Sequence, residues 1–166
     1  MSFTRVMVTG HRPQHLSEGA QVWAAGELER LAFKLADDGM EVGISGLALG
    51  ADTWWASAVL AAGVPLWSFV PFPQQADKWS RTDQATWQYL QGRSARVWEI
   101  APRYSVQALH ARNDRMLDAA DLVIAVWDPF HQTGGTASCV QKALGRGLPI
   151  VHVDVSRQVT VMKRAA

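Results

Sequence analysis

At 166 residues, with 48% hydrophobic and 19% charged residues, the chain has the size and composition of one globular domain rather than a disordered or fibrous protein. Its formal net charge of +1 excludes a global basic field of the kind that gathers nucleic acid or anionic membrane, so any anion site has to be local. The single cysteine, Cys139, excludes an internal disulfide, and no apolar stretch approaches the roughly 20 residues that span a bilayer.

Six short apolar runs alternate with helical patterns along the chain. The first run, FTRVMVT at 3–9, is followed by a helix with Ser17 as N-cap, an apolar stripe at Ala24, Leu28, Leu31 and Leu35, and Gly39 as its stop. MEVGIS at 40–45 leads into an alanine-rich helix at 51–62. VPLWSFV at 64–70 precedes a helix at 76–91, and ARVWEI at 95–100 one at 104–119. DLVIAVW at 121–127, a helix at 136–146 and PIVHVDV at 149–155 complete the set. Apolar runs without alternation suit strands covered on both faces. The pattern predicts an α/β fold: a Rossmann-like open doubly wound sheet, mostly parallel, of about six strands with helices on both faces. One domain is expected over 1–155, with 156–166 as a short C-terminal tail. The start MSFTRVMVTGH lacks the continuous apolar run of a signal peptide, so a cytoplasmic location is expected.

Eight tryptophans are more than the two or three usual for this length. Trp67, Trp98 and Trp127 lie inside apolar runs and read as core. Trp54 and Trp55, adjacent on a helix, point about 100° apart and so differ in role.

Ligands of open α/β sheets bind beyond the carboxyl ends of the strands, which directs attention to the turns after each run. These are Thr9-Gly10-His11-Arg12-Pro13, Ser45-Gly46-Leu47-Ala48-Leu49-Gly50-Ala51-Asp52, Pro71-Phe72-Pro73, and Asp128-Pro129-Phe130 with Thr133-Gly134-Gly135-Thr136. Gly46 with Gly50, and Gly134 with Gly135, open directly into helices whose first N–H groups have no partner in the helix; such a terminus attracts anions. Glycine at such a turn also serves plain backbone geometry, and two glycine-rich turns on one edge carry more weight than either alone.

The helix at 104–119 places Asn113 on the stripe Val106, Leu109, Met116 and Ala120, where a polar amide needs partners. Beside it, Arg112 either binds phosphate or carboxylate with its fork or pairs with Asp114 or Asp118 on the surface. Asp52 has two open roles, complementing the helix dipole or accepting from ribose hydroxyls. Asp128 is a turn former or a ligand contact. His11 sits in a sheet-edge turn, whereas His110, His131 and His152 show no metal-ligand spacing; no metal and no cofactor are expected. Phe72, Pro73, Gln74 and Trp79 form either a flap, with Phe72 or Trp79 stacking a base, or a plain surface loop.

Together, VTGHRPQHL, ISGLALGAD, VPFPQQADKW, RYSVQALHARNDRMLDAADLVIAVWD and TGGTASCVQKALGRGLPIVHV resemble, in order, the SLOG superfamily that joins DprA, the LOG phosphoribohydrolases and the YpsA-like proteins. The YpsA-like branch fits best, over about residues 5–154. The resemblance implies a Rossmann-like fold and a nucleotide pocket, with Gly10, Ser45, Gly46, Gly50, Asp52, Arg112, Asn113, Gly134, Gly135 and Thr136 at matching positions. In LOG enzymes the last loop reads PGGxGTxEE, and a glutamate there works with an arginine from the preceding helix to cleave an N-glycosidic bond. Arg112 matches that arginine. Ser138 and Cys139 stand where the glutamates would be, and neither supplies a carboxylate.

The leading expectation is a protein that binds a nucleotide-derived small molecule, ADP-ribose-like or a cyclic signalling nucleotide, as sensor or sequestering protein. An N-glycosidic hydrolase using another carboxylate, with Asp52, Asp128 and Glu99 as candidates in that order, is the second. DprA-like binding of single-stranded DNA is the third, and the near-neutral charge argues against it. A homodimer or higher assembly is expected from the surplus of aromatics.

Overall fold

The structure is a computed structural model and describes residues 2–164. Seven strands form one sheet: β1 (Arg5–Gly10), β2 (Val42–Ser45), β3 (Leu66–Val70), β4 (Arg96–Glu99), β5 (Leu122–Trp127), β6 (Ile150–Asp154) and β7 (Val159–Lys163). Five helices connect them: α1 (Glu18–Asp37), α2 (Ala51–Ala61), α3 (Arg81–Arg93), α4 (Val106–Ala119) and α5 (Gly135–Gly145). The spatial order is β4-β3-β2-β1-β5-β6-β7, parallel throughout except that β7 runs antiparallel to β6.

This order has one reversal point. From β1 the chain winds outward through β2, β3 and β4, then returns to lay β5 on the other side of β1. The loops leaving β1 and β5 therefore depart in opposite directions and leave a crevice between them, where ligands of open α/β sheets bind.

The strands alternate between two cores because successive side chains point to opposite faces. On β1 and β5, Val6, Val8, Leu122, Ile124 and Val126 pack with Leu28 of α1 and Trp55 of α2. Met7, Val123 and Ala125 pack on the other face with Met116 of α4 and Cys139 of α5.

Helix starts divide into two kinds. Ser17, Ser80 and Ser105 cap α1, α3 and α4, each hydroxyl accepting a backbone N–H three residues on. In contrast, α2 and α5 start at Gly50 and Gly134, both at φ +95° and both without a side-chain cap. Left-handed backbone at both turns requires glycine.

Four expectations need correction. The 156–166 tail is not a bare tail: Val159–Lys163 adds the antiparallel seventh strand, and Thr160 Oγ1 donates to Glu27 Oε2 of α1 at 2.5 Å. Residues 165 and 166 lie outside the described residues. The third helix begins at Arg81 rather than 76, because Ser80 caps it by accepting the Asp83 N–H, while 72–79 fold as successive turns. As the last strand on its side, β4 has one neighbour, and Arg96, Val97 and Glu99 are exposed rather than buried on both faces. Trp67, Trp98 and Trp127 are only half-buried against the second core; Trp55 is the tryptophan that is fully enclosed.

Candidate functional site

A cavity of about 560 Å³ occupies the crevice between β1 and β5. Its walls are the β1 turn (Gly10, His11, Arg12), Ala48 and Asp52 at the start of α2, Leu109, Arg112 and Asn113 of α4, and Thr133 to Thr136 at the start of α5. The crevice is stitched beneath by backbone geometry. The His11 N–H donates to the Val126 carbonyl at 3.1 Å, and the Asp128 N–H donates to His11 Nε2 at 3.0 Å. That second bond requires Nε2 to be unprotonated. Burial, with His131 and His15 nearby, pushes the His11 pKa below its ordinary value, although Asp128 pulls the other way.

Arg112 is the central cation. It is 7% exposed, and its Nη1 donates to the Gly46 carbonyl at 2.6 Å while its Nε donates to Asn113 Oδ1 at 2.8 Å. No polar atom of Arg112 is both sealed and unpartnered, so the remaining guanidinium nitrogen opens onto the cavity. Asp114 instead pairs with Lys142 and Arg146, and Asp118 with Arg146, which removes the surface pairing as Arg112's role. The α4 stripe is also rotated from expectation. Ala108, Arg112, Met116 and Leu117 are buried, Arg112 and Met116 also edging the cavity, whereas Val106, Leu109 and Asn113 line the cavity without being buried. Val106, Leu109 and Asn113 of the stripe visible in the sequence are cavity wall while its Met116 is core, and Arg112 is buried beside them because the Gly46 carbonyl is there to receive it.

Asp52 lies at the cavity floor, buried, with Oδ2 accepting the Ala48 N–H at 3.2 Å. Burial pushes its carboxyl pKa upward, against the opposing pull of Arg112, the Ala48 N–H and Arg12. The same burial pushes Arg112 downward, and each group opposes the other's shift in part. Asp52 is the only carboxylate on this cavity's wall among the described residues.

Ser45, Gly46, Leu47 and Gly50 support the cavity from below rather than line it. Ser45 Oγ donates to the Asp52 carbonyl at 2.7 Å and accepts the Leu47 N–H at 3.1 Å. Leu47 is fully buried at φ +54°. A Cβ on Gly46 would lie 2.3 Å from Arg112 Nη1, and one on Gly50 would lie 2.7 Å from the His11 carbonyl oxygen. Gly10 is equally confined, 2.5 Å from the Ala51 Cβ. The α5 turn differs: added Cβ atoms at Gly134 and Gly135 would meet nothing within 4 Å.

Asp128 serves as a turn former, its Oδ1 accepting the Phe130 N–H at 2.9 Å, and it does not line the cavity. Glu99 ends the exposed edge strand β4 and lies apart from it. Ser138 and Cys139 are likewise absent from the wall; Cys139 is buried in the second core, with its thiol pKa pushed up by that burial. Phe72 and Trp79 line an adjoining cavity of about 600 Å³.

Sequence reasoning missed that His15, His110 and His131 join His11 on the first wall, four of the five histidines of the chain. They come from three separate segments, so no spacing rule links them. Among the described residues no group of three or more His, Cys, Asp or Glu is arranged to hold a metal ion. No helix among them is long and apolar enough to cross a membrane.

A family model described as the YspA SLOG family matches residues 6–147. A UPF0398 protein of Bacillus pumilus (strain SAFR-032) is 27% identical over 139 residues, covering 76% of this chain and 74% of that protein. Among solved structures, DNA processing protein A (DprA) of Helicobacter pylori superposes with a TM-score of 0.67 at 20% identity, over 90% of this chain and 64% of that one. DprA of Streptococcus pneumoniae gives 0.66 at 18%, over 90% of this chain and 50% of that one, so the chain spans half to two thirds of the DprA proteins it matches. The molybdenum cofactor binding protein of Rippkaea orientalis gives 0.59 at 17% identity, over 92% of this chain and 77% of that one. At these identities the structural likeness establishes the Rossmann-like fold.

Proposed function

The chain belongs to the YspA SLOG family, and from that premise we propose that its crevice binds a nucleotide-derived anion, such as an ADP-ribose-like or signalling nucleotide, as a sensor or sequestering protein. One observation carries the reading: a buried arginine, fixed by Gly46 and Asn113, turns its free nitrogen into a cavity whose far wall is an uncapped helix start. Arg112 supplies a preorganised charge, and the open N–H groups of α5 supply donors for phosphate oxygens. Thr133 and Thr136 add hydroxyls on the same wall. A cavity of this volume suits a ligand of mononucleotide size. Binding rather than turnover fits the absence of a carboxylate at Ser138 and Cys139. It also accords with the use of this fold by a molybdenum cofactor binding protein, whose ligand is its own.

The test is a thermal shift and calorimetric panel of purine and pyrimidine mono- and diphosphates. A ligand present at 100 times its Kd stabilises a protein by about 2.7 kcal/mol, which for a domain of this size raises the Tm by roughly 5–10 °C. Arg112→Lys, which keeps the charge and loses the planar fork, is expected to weaken the best ligand by about tenfold or more. No shift with any member of the panel, or equal affinity in Arg112→Lys, overturns the reading.

A second reading rests on Asp52. It is the sole wall carboxylate among the described residues and holds its proton more tightly than an exposed aspartate, the property of a general acid in N-glycosidic cleavage. Incubating micromolar protein with nucleoside monophosphates separates the two. Free base appearing in the wild type and vanishing in Asp52→Asn favours cleavage; bound but intact nucleotide favours binding.

A further inference from the structure

The second cavity, about 600 Å³, lies beyond the first and shares four wall residues with it: Arg12, Ala48, Leu109 and Arg112. Two of the four are arginines, so the waist between the cavities is its most cationic part. Arg12 is exposed and makes no ion pair among the described residues. The far wall is aromatic. Phe72 is buried and meets exposed Tyr104 edge-on at 5.3 Å, with half-buried Trp79 completing the surface. Asp77 and Lys78 stand at its edge, also without ion-pair partners among the described residues. The aromatic loop is held in place from below. Gln75 Nε2 donates to the Gly46 carbonyl at 3.0 Å, the same oxygen that Arg112 grips, and Gln75 Oε1 accepts Trp87 Nε1 at 2.9 Å. One carbonyl thus fixes the waist arginine and the aromatic loop relative to each other.

We propose that the two cavities hold one two-headed ligand, a diphosphate-linked molecule whose linker lies between Arg12 and Arg112 and whose second, planar head stacks in the cavity of Phe72, Trp79 and Tyr104. The proposal rests on the reading of the first cavity as an anionic-ligand site. Each cavity has the volume of a small-ligand pocket, and a mononucleotide in the first leaves the second empty. The two phosphates of such a linker carry one negative charge each and meet the two guanidiniums one to one, whereas a single terminal phosphate presents a similar total charge at one point. Stacking on aromatic faces supplies the second head's affinity, and Asp77 and Lys78 offer an acceptor and a donor to its polar edge.

Calorimetry with adenosine and guanosine monophosphates against the corresponding symmetric dinucleoside diphosphates tests this. The two-headed member of one pair is expected to bind at least about tenfold tighter than its monophosphate. Tyr104→Ala, at a side chain that is 66% exposed, is expected to bring that ratio to within about threefold of one. Lys78→Ala is expected to reduce the ratio less. Monophosphates that bind as tightly as their two-headed partners overturn the proposal and leave the first cavity's reading standing, as does a ratio unmoved by Tyr104→Ala. Binding by neither class overturns both.

Discussion

The turns that open α2 and α5 read alike in the sequence and behave oppositely in the fold. Both follow a strand end, both place glycine at φ +95°, and both start a helix without a side-chain cap. At α2 the protein itself occupies the turn. Asp52 reaches back to the Ala48 N–H, Ser45 bridges Leu47 and the Asp52 carbonyl, the Gly46 carbonyl receives Arg112, and the His11 carbonyl presses on Gly50. At α5 nothing does, and Thr133, Gly134 and Gly135 are exposed to the cavity. One glycine-rich turn is a brace that holds Arg112; the other is left open on the same cavity, and under the proposed function it is the anion site. A glycine-rich turn therefore announces that backbones or ligands approach closely, and only its surroundings decide which of the two arrives.

The largest expected effect breaks the brace. Gly50→Ala forces a Cβ into left-handed backbone and to within 2.7 Å of the His11 carbonyl, a rigid group that cannot swing aside. The strain and overpacking together are expected to cost on the order of 3 kcal/mol, read as a lower urea midpoint with an unchanged m-value. Next comes Gly46→Ala, whose Cβ displaces the Arg112 guanidinium from a buried carbonyl. A cost of about 1–2 kcal/mol is expected, together with weaker ligand binding, because the brace and the site share that arginine. Stability lost with nucleotide affinity unchanged would separate brace from site and contradict their coupling.

Much of this arrangement is legible in the sequence. Strand runs, Ser17 as a cap and the glycine turns follow from periodicity and local chemistry, because each depends on neighbours in the chain, and the βα alternation gives the doubly wound class. Arg112 is harder. Its burial depends on a carbonyl 66 residues away, and the α4 apolar stripe points to Asn113 as the buried position when Val106, Leu109 and Asn113 in fact line the cavity. His15 follows His11 within the same turn, but His110 of α4 and His131 of the loop after β5 reach them only through the parallel pairing of β1 with β5 and the packing of α4, which no local pattern encodes. For β7 the signal was present in the alternation Val159, Thr160, Val161 after a turn, and its brevity hid it.

The pH dependence sharpens the comparison because the two sides of the crevice titrate in opposite senses. The folded pKa of His11 lies below 6.5, so the stability it contributes is present above that value and is lost as pH falls through the folded pKa, when protonation breaks the Nε2 bond to Asp128. Asp52 is raised above 3.8, so its contribution is full below that value and is lost as pH rises through the folded pKa. Urea unfolding of the wild type between pH 7.5 and 5.0 is expected to show the His11 loss, and His11→Gln, whose amide oxygen accepts the same N–H without titrating, is expected to flatten it. An equal slope in His11→Gln would assign the dependence elsewhere.

The smallest effect is the most discriminating partner to the first. Gly135 has ordinary helical backbone and open space where a Cβ would go, so Gly135→Ala removes unfolded-state freedom without creating a clash. Its stability is expected to stay within about 0.5 kcal/mol of the wild type, or to rise slightly. If α5 is an open anion site, the methyl group instead reads out in ligand affinity, as it sits beside donors that approach the ligand closely. Gly50→Ala and Gly135→Ala then form a crossed pair: large in stability at the brace, small in stability but visible in binding at the open turn. A loss of stability at Gly135 comparable with that at Gly50 would mean that α5 is braced too, and the contrast between the two turns would fail.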